Sequence, residues 1–590
     1  MRIFEGRRWC TFVCLAGLAC VYLGCTDTVD DGAVTAPDAG ETDAFLPDIA
    51  NGESGESGES EESEQSGESG ESEESSETPS HISRAALDAL ERSDFQAWHG
   101  RIWNITTEAA LPDDWIVETP PADTWGGSAA DLNVVEDCEG TEADCDPDFG
   151  LVMCSTDGDC RNGGSCEPVE ATVTAPEQTP ESLCVGHSRH AYEVYYQAII
   201  EATELVDITS LYPPDGPFLA AIRNGLTYLE AAGESPEVRF QFGSIILDEV
   251  DVDEVLDGLI RDLSASTDLA VAVGTYREGF DSWNHAKIAA IDGEFAIVGG
   301  MNMSTNSYLR AAPVFDLTMK MVGPSARDAH FFADQLWSYS CDGLFFGDFG
   351  LIDHATTFPN GECPTKRGER LSDGAAAGDV WVASLGRLGD IGENVADSAI
   401  MAALDSAKDS IRLSVQDLGP LQIGPVESYA WSSSLLDMIG RAIARGVSVE
   451  ILMTTPVVGD EGGGSGDDGA YSNGWTKQDA VLRVENRLRL NDFWLPDGTT
   501  AQQAICEHLS VASIRPFEEE RWSDGTEYAN HAKSFIIDDQ AFYIGSQNLY
   551  PAELAEFGYL VDDQSAAQKL VDNYWNPLWN SSQSTVEQGC

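Results

Sequence analysis

Positive charge is scarce in this chain. Its 590 residues hold 32 Lys and Arg against 102 Asp and Glu, a formal net charge of −70. A protein whose main task is to hold nucleic acid needs a basic stripe that displaces counterions, so this balance argues against that class. Long apolar runs are missing too. Beyond the first 26 residues no uncharged run reaches 18, which excludes a multi-spanning helical membrane protein. From Trp9 to Ser83 there is neither Lys nor Arg, and residues 51–78 contain no aliphatic or aromatic side chain. That last stretch repeats Gly-Glu-Ser and carries eleven Glu. It cannot bury a core and its charges repel one another, so residues 25–82 are expected to be a disordered acidic tether. Hydrophobic residues still make up 42% of the chain, so the remainder is globular and long enough for two or three domains.

Arg2, Arg7 and Arg8 precede a largely apolar run from Trp9 to Leu23. A basic start followed by a short apolar run predicts a secretory signal over residues 1–24. The run ends Leu23-Gly24-Cys25. This is similar to a bacterial lipobox, in which Cys25 would become a lipid-modified N-terminus. The expectation is a protein exported from a bacterial cell and held to a membrane only through that anchor, or otherwise secreted.

Cysteine usage agrees with export. Of 14 Cys, ten lie beyond the signal and Cys25, and six of these (Cys138, Cys145, Cys154, Cys160, Cys166 and Cys184) fall within 47 residues. Paired C-x2-C units are absent and the stretch has too few large apolar residues for its own core. Residues 138–184 are therefore read as a disulfide-stapled segment and not as a zinc site. They lie within an N-terminal segment over 83–189.

Residues 284–302 and 530–548 are two versions of one pattern. Each contains H-x-K-x4-D: His285, Lys287 and Asp292 in the first, His531, Lys533 and Asp538 in the second. A Gly follows each His by 14 residues (Gly299, Gly545) and an Asn by 17 (Asn302, Asn548). Matched offsets in two copies make coincidence very improbable. In each copy a short apolar run, an Asp-Gly or Asp-Asp turn and a second apolar run spell a hairpin. His and Lys two apart on an extended chain share a face. Gly299-Gly300 and Gly545-Ser546 are expected to leave space for a ligand near the backbone. Helical stretches (from Ala191, Asn394–Ala407, Leu435–Arg445) alternate with apolar strands (Val206–Leu211, Val238–Phe242, Leu269–Val273, Ser410–Val415, Val447–Met453). The fold class expected is α/β, with two similar lobes over 190–385 and 386–590 facing each other.

The duplicated motif resembles the phospholipase D superfamily, and further stretches resemble its secreted actinomycete-type enzymes: Ser282-Trp-Asn-His-Ala-Lys, Gln416-Asp-Leu and Glu556-Phe-Gly-Tyr. The resemblance runs from about residue 85 to the end. It implies a duplicated fold with one active site between the lobes, cleavage of phosphatidylcholine-like lipids at a membrane or micelle surface, and no obligatory metal or cofactor. It also implies disulfides joining Cys341 to Cys363 and Cys506 to Cys590. Its roles carry over as follows: His285 attacks phosphorus, His531 protonates the leaving alcohol, and Asp316 and Glu556 orient the two rings.

The residue types suit that chemistry. Two Lys and two Asn can stabilise charge building on phosphoryl oxygens. One imidazole can act as nucleophile and the other as acid and then base, because histidine titrates near neutrality. Asn302 and Asn548 are expected to touch phosphate. Asp292 and Asp538 complete the catalytic motif but are expected to hold loop and lysines in place. His187, His190 and His330 are expected to be structural. The expected state is a monomer with no nucleic-acid partner. A superfamily nuclease or a phospholipid synthase is the alternative function.

Overall fold

The structure is a computed structural model that describes most of residues 79–590. The main stretches outside the description are 130–153, 169–181, 343–354 and 455–474. Before residue 79 only three short strands are described, Arg2–Glu5, Arg8–Leu15 and Ala19–Asp27, within a unit (Met1–Glu74) separate from Ser75–Cys590. The side chain of Cys25, the acidic repeat, and Cys138, Cys145 and Cys160 lie outside the described residues. Among the described residues no helix is long and apolar enough to cross a membrane.

Two early strands, β1 (Trp103–Ala109) and β2 (Ile116–Thr119), go to different sheets. The first lobe adds β3 (Leu205–Ser210), β4 (Glu237–Gly243), β5 (Ala270–Glu278), β6 (Ile288–Ile291), β7 (Phe295–Gly299) and β8 (Asp316–Val322). The second contains β9 (Val380–Leu388), β10 (Ser410–Val415), β11 (Ser448–Met453), β12 (Leu509–Ser513), β13 (Lys533–Ile537), β14 (Ala541–Gly545) and β15 (Ala555–Asp562).

Strand order shows the kinship of the lobes. The main path of one sheet runs β5-β4-β3-β6-β7-β8-β2, and of the other β12-β11-β10-β13-β14-β15-β9-β1. In each, three parallel strands lead into three antiparallel ones. Parallel neighbours need crossovers, and helices supply them. Gly216–Ala232 links β3 to β4, with proline in its first turn and Gly233 in a left-handed cap. Ala430–Ala444 links β10 to β11, and Lys477–Leu490, opened by a Thr476–Asp479 capping box, leads toward β12. The fold is α/β with two lobes, as expected from the alternation in sequence.

The hairpin strands are buried on both faces, and their period of two sorts side chains between cores. Ile288 and Ala290 of β6 face a central core, while Ala289 and Ile291 face the core under the first lobe's helices. In β14, Phe542 and Ile544 face the same central core while Ala541 and Tyr543 face the other way. The lobes therefore meet over shared apolar packing, with Trp115 stacked on Phe542 at 5.0 Å. Each large side chain taken from water there contributes about 1.5–3 kcal/mol.

Polar ties cross the same boundary. Tyr559 donates to the Ser325 carbonyl at 2.8 Å, and Ser384 and Asn104 donate to Asp328. Disulfides join Cys341 to Cys363, Cys506 to Cys590 and Cys154 to Cys166, and Cys184 is also disulfide-bonded.

Candidate active site

Each H-x-K motif sits just before or at the start of a hairpin, at the end of the sheet where the parallel strands finish. An asparagine fixes the approach. Asn284 donates to the carbonyls of Ser210 (3.1 Å) and Gln241 (2.9 Å) and accepts from the Ala286 amide. Asn530 donates likewise to the Leu452 carbonyl and to the Ser414 hydroxyl and accepts from the Ala532 amide. Both are fully buried. They complete a repeated Asn-His-Ala-Lys whose first residue carried no role in the sequence reading, although its recurrence was visible there.

The chain then crosses between lobes. The His285 amide donates to the Ala555 carbonyl at 2.8 Å, and the His531 amide to the Phe315 carbonyl at 2.7 Å. These bonds set each imidazole beside a carboxylate from the opposite lobe. Nδ1 of His285 lies 2.8 Å from Glu556, and Nδ1 of His531 lies 2.7 Å from Asp316. Both histidines are 4% exposed. With Nδ1 engaged in each, Nε2 is the nitrogen left for chemistry.

The two lysines are buried beside the rings. Nζ of Lys287 donates to the His285 carbonyl at 2.7 Å, and Nζ of Lys533 to the His531 carbonyl at 2.5 Å. Burial, then the Lys533 charge, hold Lys287 well below its ordinary range. Burial brings Lys533 down to about 8. Burial and the two lysines likewise hold His285 well below 6.5. His531 is held at about 4, chiefly by burial and Lys533, with Asp316 pulling the other way. Burial pushes Glu556 up to about 7 against the pull of Arg387 and Lys287. Such crowding of cationic groups is relieved by an anion placed among them.

Asn548 is 2% exposed, and neither its amide nitrogen nor its oxygen has a partner within the protein. A buried amide left unpaired costs about 1–3 kcal/mol, so this group is poised for a ligand. Asn302 is buried as well, its oxygen 3.5 Å from the Ser210 hydroxyl and its backbone amide donating to Tyr308.

Asp292 and Asp538 do not join the cluster. They sit at the far ends of β6 and β13, where their carboxylates collect amides at the entry to β3 and β10: Thr203, Glu204 and Leu205 for Asp292, and Lys408, Asp409 and Ser410 for Asp538. Both adopt positive φ, 54° and 53°. They belong to the H-x-K-x4-D motif but hold loops.

The glycines depart from expectation. A side chain at Gly299 would meet Thr318, one at Gly300 would meet the Asp316 carboxylate, and one at Gly545 would meet the Tyr543 hydroxyl. The room at Gly299 and Gly300 lets β8 and Asp316 approach, and no ligand is needed to explain it. His330 bonds Asp207 and the Gly293 amide, and His190 bonds the Glu118 carbonyl. The side chain of His187 lies outside the described residues.

Two partners of the carboxylates went unread in sequence. The Arg387 guanidinium donates to Glu556, to the Leu554 carbonyl (3.0 Å) and to Asp397 (3.1 Å). The Tyr308 hydroxyl donates to Asp316 at 2.7 Å.

Comparison with known proteins shows what the chain is similar to. The chain is 30% identical over 543 residues to phospholipase D of Streptomyces antibioticus, covering 82% of this chain and 93% of that protein. Among solved structures it is similar to phosphatidylserine synthase of Haemophilus influenzae Rd KW20, at 14% identity and a TM-score of 0.41, covering 68% of this chain and 85% of that one. It is also similar to Nuc of Salmonella typhimurium, described as a phospholipase D family member, at 17% identity and a TM-score of 0.20, covering 33% of this chain and 90% of that one. No family model matches the chain.

Proposed function

The chain belongs to the phospholipase D superfamily and is a phosphodiesterase, and from that premise we propose that it cleaves phosphatidylcholine-like phospholipids to phosphatidate and the free head-group alcohol. The observation that carries this reading is the paired cross-lobe constellation. Two buried imidazoles, each beside a carboxylate from the other lobe, share their site with two lysines. A ligand that merely docked would not call for two imidazoles in matched settings.

The chemistry runs in two displacements. The neutral His285 ring attacks phosphorus through Nε2 while Lys287, Lys533, Asn302 and Asn548 stabilise the phosphoryl oxygens. His531, protonated once the anionic phosphate is beside it, delivers its proton to the departing alkoxide. The product is a phosphatidyl-histidine on His285 and a neutral His531. The latter then takes a proton from water, whose oxygen attacks phosphorus and frees His285. A primary alcohol can replace water, giving a phosphatidylalcohol, because nothing in the step requires the acceptor to be water. Trp283, partly buried two residues before His285, would line the acceptor's approach.

The protein would act as a monomer at a membrane or micelle surface, exported and tethered through Cys25 and the acidic stretch. No divalent ion or other cofactor enters the scheme, because the lysines supply the positive charge.

Parallel assays on phosphatidylcholine vesicles, plasmid DNA and a chromogenic short diester test the proposal. Choline and phosphatidate from the vesicles, with intact DNA, is the expected result. DNA nicking with no lipid turnover would make it a nuclease, and consumption of lipid only when a second lipid alcohol is supplied would make it a synthase.

A further inference from the structure

The two halves of the site are alike in backbone but differ in one respect that bears on which imidazole does what. Behind His285 the sequence of contacts is His285, Glu556, Arg387. One oxygen of Glu556 lies 2.8 Å from Nδ1 and the other receives the guanidinium. Arg387 is 2% exposed and is fixed on its remaining side by Asp397 and the Leu554 carbonyl. Behind His531 the sequence is His531, Asp316, Tyr308. Here, besides the ring, the hydrogen-bond donors to the carboxylate among the described residues are neutral, the Tyr308 hydroxyl at 2.7 Å and the Leu317 amide at 2.8 Å.

A carboxylate stabilises an imidazolium by its negative charge. A guanidinium on its other oxygen spends part of that charge, whereas a phenol leaves it whole. We propose that Arg387 is a positioning residue that divides the labour between the two histidines: it keeps His285 neutral and nucleophilic, while Tyr308 leaves Asp316 able to carry His531 as a cation. This rests on the reading of His285 as nucleophile and His531 as acid given above, and it supplies a physical cause for that division.

Other charges reach both rings and do not account for the difference. Lys287 and Lys533 act on both rings, each more strongly on the ring of its own motif. The rings also face each other, and behind Arg387 stand Asp397, Glu553 and Tyr543. Among the described residues no guanidinium or ammonium hydrogen-bonds Asp316 as Arg387 does Glu556, and the lysines act on both carboxylates through space.

The test uses the full-length protein and a phosphatidyl p-nitrophenol ester. p-Nitrophenolate leaves without needing a proton, so the pre-steady-state burst reports His285 and is insensitive to His531 as acid. Arg387→Gln keeps a donor to Glu556 but removes the charge. The acid limb of its burst rate should move to higher pH by about one unit, a tenfold gain in proton affinity of the coupled His285–Glu556 pair, in which Glu556 is itself pushed up to about 7. Arg387→Lys restores the charge and should return the limb toward wild type. Asp397→Asn strengthens the uncompensated charge on Arg387 and should shift the limb the opposite way, so the sign can be read even if Arg387→Gln fails to fold. A uniform drop in burst rate with no shift of the limb in Arg387→Gln or in Asp397→Asn would mean that Arg387 serves packing alone, and the inference would fall. Wild-type adduct on His531 would overturn the underlying role assignment as well, and mass spectrometry of the quenched wild-type burst separates that failure from the first.

Discussion

In the free protein His531 titrates at about 4, chiefly because of burial and Lys533. A general acid at neutral pH must hold a proton, so the substrate's own anion has to bring it. Raising His531 from about 4 to its ordinary 6.5 takes about 3 kcal/mol. One anionic charge about 4 Å from the ring supplies about 4 kcal/mol at an effective dielectric of 20, which is enough. The sign follows. His531 is lowered in the free protein and raised by the anion, so anion binding takes up a proton. Affinity then strengthens as pH falls through the window between the two values, by at most tenfold per unit, and levels off below about 4. Sulfate is a suitable probe because it has no titrating proton in this range. Calorimetry at pH 6 in buffers of differing ionisation enthalpy should return about one proton taken up per sulfate. Asp316→Asn, which removes the counter-charge at 2.7 Å, should reduce that uptake. Zero uptake, with affinity flat from pH 5 to 8, would refute the reasoning.

Three further outcomes follow from the same geometry. His285→Ala and His531→Ala should each cost about 10²–10⁴-fold or more in turnover of phosphatidylcholine, since both act on one phosphorus; half-rates in each would indicate two independent sites. Asp292→Ala and Asp538→Ala should each lower unfolding free energy by about 1–3 kcal/mol in denaturant titrations, because amides at the start of β3 and β10 lose their acceptor. Turnover per folded molecule should stay within about twofold, and a collapse of kcat at unchanged stability would place these carboxylates in the chemistry. Hydrolysis should survive EDTA, since the lysines do the work of a metal; loss that only Mg²⁺ or Zn²⁺ restores would contradict this.

The legible and illegible parts of the molecule divide along physical lines. Local periodicity exposed the hairpins, because His285 and Lys287, or His531 and Lys533, sit two apart on one strand direction. The alternation of helices and apolar strands exposed the two lobes. What could not be read depends on docking between distant segments. Arg387 meets Glu556 across 169 positions, and nothing near it in the chain announces the partner. Its strand, β9, was itself obscure: Gly386 and Arg387 interrupt the apolar run, and Gly386 is there because Ile102 packs against its backbone. Tyr308 is equally silent, a single aromatic in a four-residue helix. Asn284 and Asn530 lay in plain sight in the repeat, but their role depends on the carbonyls at the ends of neighbouring strands, which only the folded sheets bring together. The glycines misled for the same reason. A gap for a ligand and a gap for an adjacent strand look identical until β8 is in place.

The central claim is that the phosphoryl group passes through a covalent bond to His285. Rapid-quench mixing with phosphatidylcholine, followed by peptide mass spectrometry under alkaline handling, tests it most directly. A phosphatidyl adduct should appear on His285 within the first turnover, decay as phosphatidate forms, and be diverted to phosphatidylethanol when ethanol is added. Choline released in full with no adduct on either histidine, and no alcohol product at any ethanol concentration, would mean direct attack by water and would contradict the account.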